Sequence, residues 1–93
     1  MPLDWLHPYQ VLVGGENVYC TEVEAVLCAH PDVASAAAFG VPSAVMGELV
    51  AAAVVPRGQG GGVGQHPPGL GGILVGWCRA RLAHYKVPVE VSL

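Results

Sequence analysis

Residues 14–24 read GGENVYCTEVE and combine a glycine pair with a helix-start signal. The glycines end the short apolar run of residues 11–13, so the sequence predicts a brief strand that stops in a tight turn. Thr21 followed by Glu24 matches the capping box, in which the hydroxyl and the carboxylate each bind a free backbone amide. We therefore expect a helix to begin at about Thr21 and to end before Pro31.

The pattern of apolar residues predicts four further elements of structure. Residues 32–41 and 48–55 are small or apolar runs bounded by turn residues, so we expect two antiparallel strands at the centre of a sheet. Residues 86–91 predict a loop into a last short strand. A second helix is predicted because apolar residues recur at spacings of three and four: Leu70, Ile73, Leu74, Trp77, Cys78 and Leu82.

The length and the order of these elements define the fold class. A chain of 93 residues has room for one small domain with one core. We predict an α+β domain with a small three-stranded, mainly antiparallel sheet, two or three helices packed on it and a short N-terminal strand. Residues 57–69 read RGQGGGVGQHPPG and predict a flexible loop, because they carry hardly a large side chain.

The composition argues against several classes of function. A hydrophobic share of 53% with 12% charged residues is typical of a globular chain rather than a disordered one. A net charge of −3 with four Lys and Arg leaves no basic surface for nucleic acid. No apolar run is long enough to span a membrane, and the N-terminus has no export signal. Three widely spaced cysteines predict neither disulfides nor a metal site, so we expect a cytoplasmic or other reducing compartment.

Residues 14–57 and 74–91 closely resemble a known family. They carry, in order, a Gly-Gly-Glu-Asn turn, a Glu-Val-Glu helix start, a His-Pro stop, a Gly-Val-Pro turn, a Gly-Glu pair and a Tyr-Lys-Val-Pro segment. This series resembles the C-terminal lid domain of the AMP-forming acyl-CoA synthetases, adenylating enzymes that also include luciferases and peptide-synthetase adenylation domains. The resemblance covers about two thirds of the chain.

The resemblance implies a role in a two-step ligase reaction. A carboxylate such as a fatty acid reacts with ATP to give an acyl-adenylate and pyrophosphate, and coenzyme A (CoA) then displaces AMP, the lid rotating between the steps. It implies that Gly14, Gly15 and Glu16 line the tunnel for the pantetheine arm of CoA, because glycine lets the backbone approach a thin ligand closely. It also implies that Tyr85 can stack on the CoA adenine, with Lys86 near the phosphates. Packing of Tyr85 against the second helix is an equal alternative.

The chain also departs from the family pattern. Residues 1–10 contain no Arg or Lys, so we expect a divergent N-terminal segment in place of the family's Gly-Arg hinge. The domain then covers residues 11–93 and is expected to stop short of the family's adenylation lysine, a role that Lys86 does not take. We therefore predict no catalytic residue and no activity of the chain by itself. ATP, AMP and Mg²⁺ are expected to act only in a full-length enzyme.

Two hypotheses of different classes follow from these observations. In the first, the chain is the lid of an acyl-CoA ligase and works with an N-terminal adenylating domain, in cis or in trans. In the second, it is a stand-alone fragment or interaction module with the same fold and no ligase role. The hypotheses differ in whether an adenylating domain exists for the chain to dock against.

Overall fold

The computed structural model of the chain describes residues 10–57 and 68–93. Most of the predicted N-terminal segment, residues 1–10, and most of the predicted loop, residues 57–69, therefore lie outside the described residues. The described part holds five strands, two α-helices and a short 3-10 helix. In chain order they are β1 Gln10–Val13, β2 Glu16–Tyr19, α1 Cys20–Cys28, β3 Val33–Ser43, β4 Gly47–Pro56, α2 Leu70–Arg79, the 3-10 helix His84–Lys86 and β5 Glu90–Ser92.

Strand β4 is the centre of the sheet. β3 pairs antiparallel with β4 along its whole length, from Val33 opposite Pro56 to Ser43 opposite Gly47. On the other side of β4, β1 pairs antiparallel with its first residue, Gly47, and β5 pairs parallel with its middle, residues 51–53. This confirms the predicted α+β class with a mainly antiparallel sheet. The expectation that β3 also lies at the centre is wrong, because β4 is its one strand partner in the described part of the chain.

The β1–β2 hairpin adds a strand that the sequence did not predict. The register places Val13 opposite Glu16 and Gln10 opposite Tyr19, so Gly14 and Gly15 form a two-residue turn. Both glycines have positive φ, 55° and 88°, as the tight hairpin turns that match the twist of a sheet require. β2 was not predicted because Val18 is its one buried residue. A strand is recognised in a sequence by several apolar residues at alternate positions.

Helices α1 and α2 lie over one face of the sheet and enclose the core. Val23 and Leu27 of α1 and Leu74 of α2 are fully buried, whereas Ile73 is 49% exposed, so the apolar stripe of α2 is narrower than predicted. The two helices have nine and ten residues, and no helix among the described residues is long and apolar enough to cross a membrane. The buried core consists of Val11, Val13, Val18, Cys20, Val23, Leu27, Val33, Ala38, Val50, Ala52, Val54, Leu70, Leu74 and Cys78.

Helix α1 begins without the predicted capping box. Its N-cap is Tyr19, whose side chain makes no capping hydrogen bond, and Thr21 is exposed. The Glu24 carboxylate instead accepts a hydrogen bond from the backbone amide of Ala38 at 2.8 Å. The amide of a buried β3 residue has no water to bind, so it gains more from the carboxylate than a solvated helix end does.

Replacing Glu24 by Ala is expected to destabilise the domain. The variant leaves the Ala38 amide without an acceptor, and we expect a loss of about 1–3 kcal/mol in the free energy of unfolding, the usual cost of an unsatisfied partly buried group. Urea denaturation followed by circular dichroism measures this loss. Glu90→Ala, at an exposed acid of the same sheet, is the matched control and should stay close to the parent chain.

Replacing Thr21 by Ala distinguishes the helix start seen in the structure from the predicted capping box. Because the Thr21 side chain caps nothing, we expect the free energy of unfolding to change by less than about 0.5 kcal/mol. The same denaturation experiment measures this change. A loss of about 1 kcal/mol or more would instead indicate a working N-cap and contradict the helix start described above.

Candidate functional site

We call Gly14 and Gly15 the glycine turn. The two residues differ in how closely other atoms pack against them. The Gly14 amide donates to the carbonyl oxygen of Met46 at 2.8 Å, and a Cβ on Gly14 would lie 2.6 Å from the Met46 Cε atom. A Cβ on Gly15 would meet no atom within 4 Å. Glu16 follows as the exposed first residue of β2. Gly14 is therefore packed against the β3–β4 turn, whereas Gly15 is bare backbone facing open space.

Tyr85 and Lys86 lie in the 3-10 helix, and Lys86 contacts α1 through Glu22. The Lys86 ammonium is 3.0 Å and 3.3 Å from the two carboxylate oxygens of Glu22. The hydrogen bond to Glu22 raises the pKa of Lys86 above its usual 10.5. Tyr85 is half-buried against the core, with the Lys86 Nζ atom 5.8 Å from its ring centroid and the His84 ring edge-on at 5.9 Å. Tyr85 therefore packs on the domain and keeps part of its ring exposed.

A cleft next to this 3-10 helix has two basic side chains on its wall. Its volume is about 450 Å³, and we call it the α2 cleft. Its basic residues are Arg79, in the last turn of α2, and His84. The remaining lining is apolar. The α2 cleft is lined by Val75, Arg79, His84, Val87, Pro88 and Val89.

The sequence did not identify Arg79 as a site residue, because a basic residue in the last turn of a helix is explained by the helix dipole alone. The structure distinguishes it from Arg81. The Arg81 guanidinium stacks on the Trp77 ring at 3.3 Å and donates to the Trp77 carbonyl oxygen. Arg79 lines the α2 cleft instead. An arginine beside an apolar wall suits an anionic group attached to a flat ring.

The glycine turn and Lys86 lie toward opposite ends of the β1–β2 hairpin. The turn follows Val13, whereas Glu22, the partner of Lys86, comes three residues after Tyr19 at the other end of the hairpin. Four residues of strand separate these ends by about 10 Å. The structure therefore does not bring the predicted site residues into one pocket. A single ligand that contacted both would have to be long and thin.

Two of the three cysteines, Cys20 and Cys78, are buried in the core. Burial raises the pKa of the Cys20 thiol, with smaller contributions from the Glu24 and Glu48 carboxylates. Burial also raises the pKa of Cys78, against the opposing charge of Arg81. Both thiols are therefore protonated packing groups at neutral pH. In the described ranges, no three His, Cys, Asp or Glu side chains are placed to hold a metal ion.

Several known proteins resemble this chain over most of its length. A probable CoA ligase from Humulus lupulus is 45% identical over 80 residues, which are 86% of this chain and 14% of that protein. The oxalate–CoA ligase of Arabidopsis thaliana is 41% identical over 80 residues, with the same two shares. The structure of o-succinylbenzoate CoA synthetase from Bacillus subtilis, in complex with its acyl-adenylate intermediate, matches with a TM-score of 0.75 at 35% identity. This match covers 89% of this chain and 15% of that one.

These matches have two consequences. The chain spans about a seventh of the length of the curated relatives it matches, so it corresponds to one part of each of them. The profile of the family described as the AMP-binding enzyme C-terminal domain matches residues 22–93, from the first turn of α1 to the last residue. The chain therefore belongs to the AMP-binding enzyme C-terminal domain family.

Proposed function

We propose that residues 11–93 form the lid of an acyl-CoA ligase and contribute the CoA side of its thioester-forming site. The partner is an N-terminal adenylating domain, in cis or in trans. The observation that carries the proposal is the glycine turn, since Gly15 combines a φ of 88° with open space around its missing Cβ. The names of the relatives, which are CoA ligases, favour this role over a stand-alone interaction module.

The glycine turn suits the pantetheine arm of CoA. Pantetheine is a thin chain with two amide groups, and bare backbone offers hydrogen-bonding groups with no side chain in the way. The amide of Gly14 is already bonded to Met46, so Gly15 and the exposed Glu16 are the residues left to line the arm. When bound, CoA supplies the thiol. The turn then guides that thiol toward the acyl group held by the adenylating domain.

Tyr85, Lys86 and the α2 cleft suit the nucleotide end of CoA. The exposed part of the Tyr85 ring can stack on adenine, and Lys86 and Arg79 supply positive charge for phosphates. The Lys86 ammonium has three donors and contacts two Glu22 oxygens, so at least one donor is left for a phosphate. The hairpin places the glycine turn about 10 Å from the start of α1, whose Glu22 binds Lys86, and a ligand as long as CoA spans that length.

The chain contributes binding and orientation rather than a catalytic group. The proposed site residues are Gly14, Gly15, Glu16, Tyr85 and Lys86, with Arg79 added from the structure. ATP, AMP and Mg²⁺ would be bound with the adenylating domain in a full-length enzyme, and we propose no adenylation step for this chain. The three free thiols also favour a reducing compartment such as the cytoplasm.

Gly15→Asn is expected to weaken binding of the pantetheine arm. Asn tolerates a positive φ better than other residues, so the fold should survive with a cost of about 1 kcal/mol or less. Its side chain fills the space beside the turn, so we expect the dissociation constant for pantetheine to rise about tenfold or more. Titration of the ¹⁵N-labelled chain with pantetheine, followed by amide shifts, measures this.

Gly69→Asn is the matched control. Gly69 also has a positive φ, of 75°, and a Cβ on it would likewise meet no atom within 4 Å. Gly69 lies at the start of α2, away from the glycine turn. It should leave pantetheine binding unchanged. In the parent chain, we expect saturable amide shifts at Gly15 and Glu16. Gly15→Asn should abolish this response. Equal binding by Gly15→Asn and the parent chain would overturn the assignment of the glycine turn.

Charge removal at Arg79, in the α2 cleft, and at Lys86, in the neighbouring 3-10 helix, tests the nucleotide end separately. We expect Arg79→Leu and Lys86→Met each to weaken binding of adenosine 3′,5′-bisphosphate about tenfold, because each loses a charge-assisted contact, while pantetheine binding stays the same. Since the pKa of Lys86 is raised, its charge is retained below that pKa and lost only as pH rises through it. The Lys86 contribution should therefore be the same at pH 7 and pH 9. Calorimetry at both pH values measures it, and a Lys86→Met variant that binds like the parent chain would remove Lys86 from the site.

A further inference from the structure

The hairpin that carries the glycine turn has little backbone pairing with the rest of the sheet. β1 pairs with β4 at one position, Val13 opposite Gly47. Next to that position, the Gly14 amide donates to the carbonyl oxygen of Met46. In a regular antiparallel ladder, the amide of Leu12 would donate to the next main-chain carbonyl of the neighbouring strand.

The Glu48 side chain accepts the Leu12 hydrogen bond instead. Its Oε1 atom lies 2.8 Å from the Leu12 amide nitrogen. A carboxylate is a stronger acceptor than a carbonyl. This contact therefore replaces the backbone hydrogen bond that is lost where β1 leaves the ladder. Two β1 amides are thus bound at the same end of β4. The Leu12 amide is bound by the Glu48 side chain, and the Gly14 amide is bound by the Met46 backbone.

Gly40 provides the space that this carboxylate occupies. A Cβ on Gly40 would lie 2.8 Å from the Glu48 Oε2 atom and 3.1 Å from its Cδ atom. The φ of Gly40 is not in the left-handed region, so glycine is needed there for space rather than for backbone conformation. The Gly-Val-Pro segment, predicted as a turn, lies within β3, and its Gly40 meets the Glu48 of the Gly-Glu pair across the β3–β4 pairing.

We propose that Glu48 is the positioning residue of the glycine turn. Its carboxylate fixes β1 at Leu12, and the Met46 carbonyl fixes it at Gly14, so the turn that follows has one position relative to β4. Gly40 makes this possible by leaving the carboxylate room. This inference rests on the proposed function of the glycine turn as the pantetheine-lining element. Glu48 touches no reacting atom in this scheme and acts through the hairpin.

Amide hydrogen exchange tests the positioning directly, without any ligand. In Glu48→Ala, we expect the exchange rate of the Leu12 amide to rise about tenfold or more, and that of Gly14 to rise with it, because the acceptor of the first is lost. Glu48→Gln keeps an oxygen acceptor and should hold both rates within about threefold of the parent chain. Glu90→Ala, at an exposed acid of β5, is the matched control and should change neither rate.

Gly40→Ala provides a second variant that leaves the carboxylate in the chain. The added methyl group would displace the Glu48 carboxylate, so the Leu12 amide should again exchange faster, by about tenfold. This variant decides the question if Glu48→Ala fails to fold. If neither Glu48→Ala nor Gly40→Ala accelerates exchange at Leu12 and Gly14, the proposal is wrong.

Titration with pantetheine links the position of the turn to binding. We expect Glu48→Ala and Gly40→Ala to raise the dissociation constant about fivefold or more. Glu48→Gln should bind pantetheine like the parent chain, because its amide oxygen still accepts from Leu12. If weaker binding came only from a general loss of stability, this one oxygen would not prevent it. Faster exchange with unchanged pantetheine binding would overturn the positioning role. A parent chain that binds no pantetheine would contradict the proposed function, and the exchange rates at Leu12 and Gly14 would still decide the role of Glu48.

Discussion

Strand β4 pairs with three other strands, and the rest of the domain depends on that pairing. β3 occupies one side of it, while β1 and β5 share the other side end to end. A strand with a partner on each side is buried through its middle, which explains the run of alanine and valine there. β1 has only the end of β4 to pair with, at Val13 opposite Gly47. The hairpin that carries the glycine turn is therefore held mainly by its buried side chains, Val11, Val13 and Val18.

Much of this fold could be predicted from local sequence, and the errors have identifiable causes. β1, β4 and both helices follow from apolar runs and spacings that are complete within one segment. β2 was missed because it buries only Val18, and the edge position of β3 was missed because strand order depends on contacts between distant segments. The capping box failed for the same reason. Glu24 binds an amide that is fourteen residues away, which no helix-start rule considers.

The candidate site was predicted in part. Gly14 and Gly15 could be singled out because two adjacent glycines have few roles other than a turn, and their positive φ values agree with that interpretation. Arg79 could not be singled out, since the same residue type also satisfies a helix end. The role proposed for Glu48 depends on space left by Gly40 on another strand, and such a relation is visible only once the strands are paired. Side chains that act across strands are therefore the main gap in a prediction from sequence.

The outer edge of β3 shows how the domain limits association with other chains. An eleven-residue, alanine-rich strand with one partner would normally invite intermolecular strand pairing. Here the Ala38 amide is bound by Glu24, the Val33 carbonyl is bound by the Arg57 guanidinium, and Pro42 has no amide hydrogen to offer. These groups interrupt the edge near its beginning, middle and end. The β3 edge therefore offers no uninterrupted row of free hydrogen-bonding groups to a second strand.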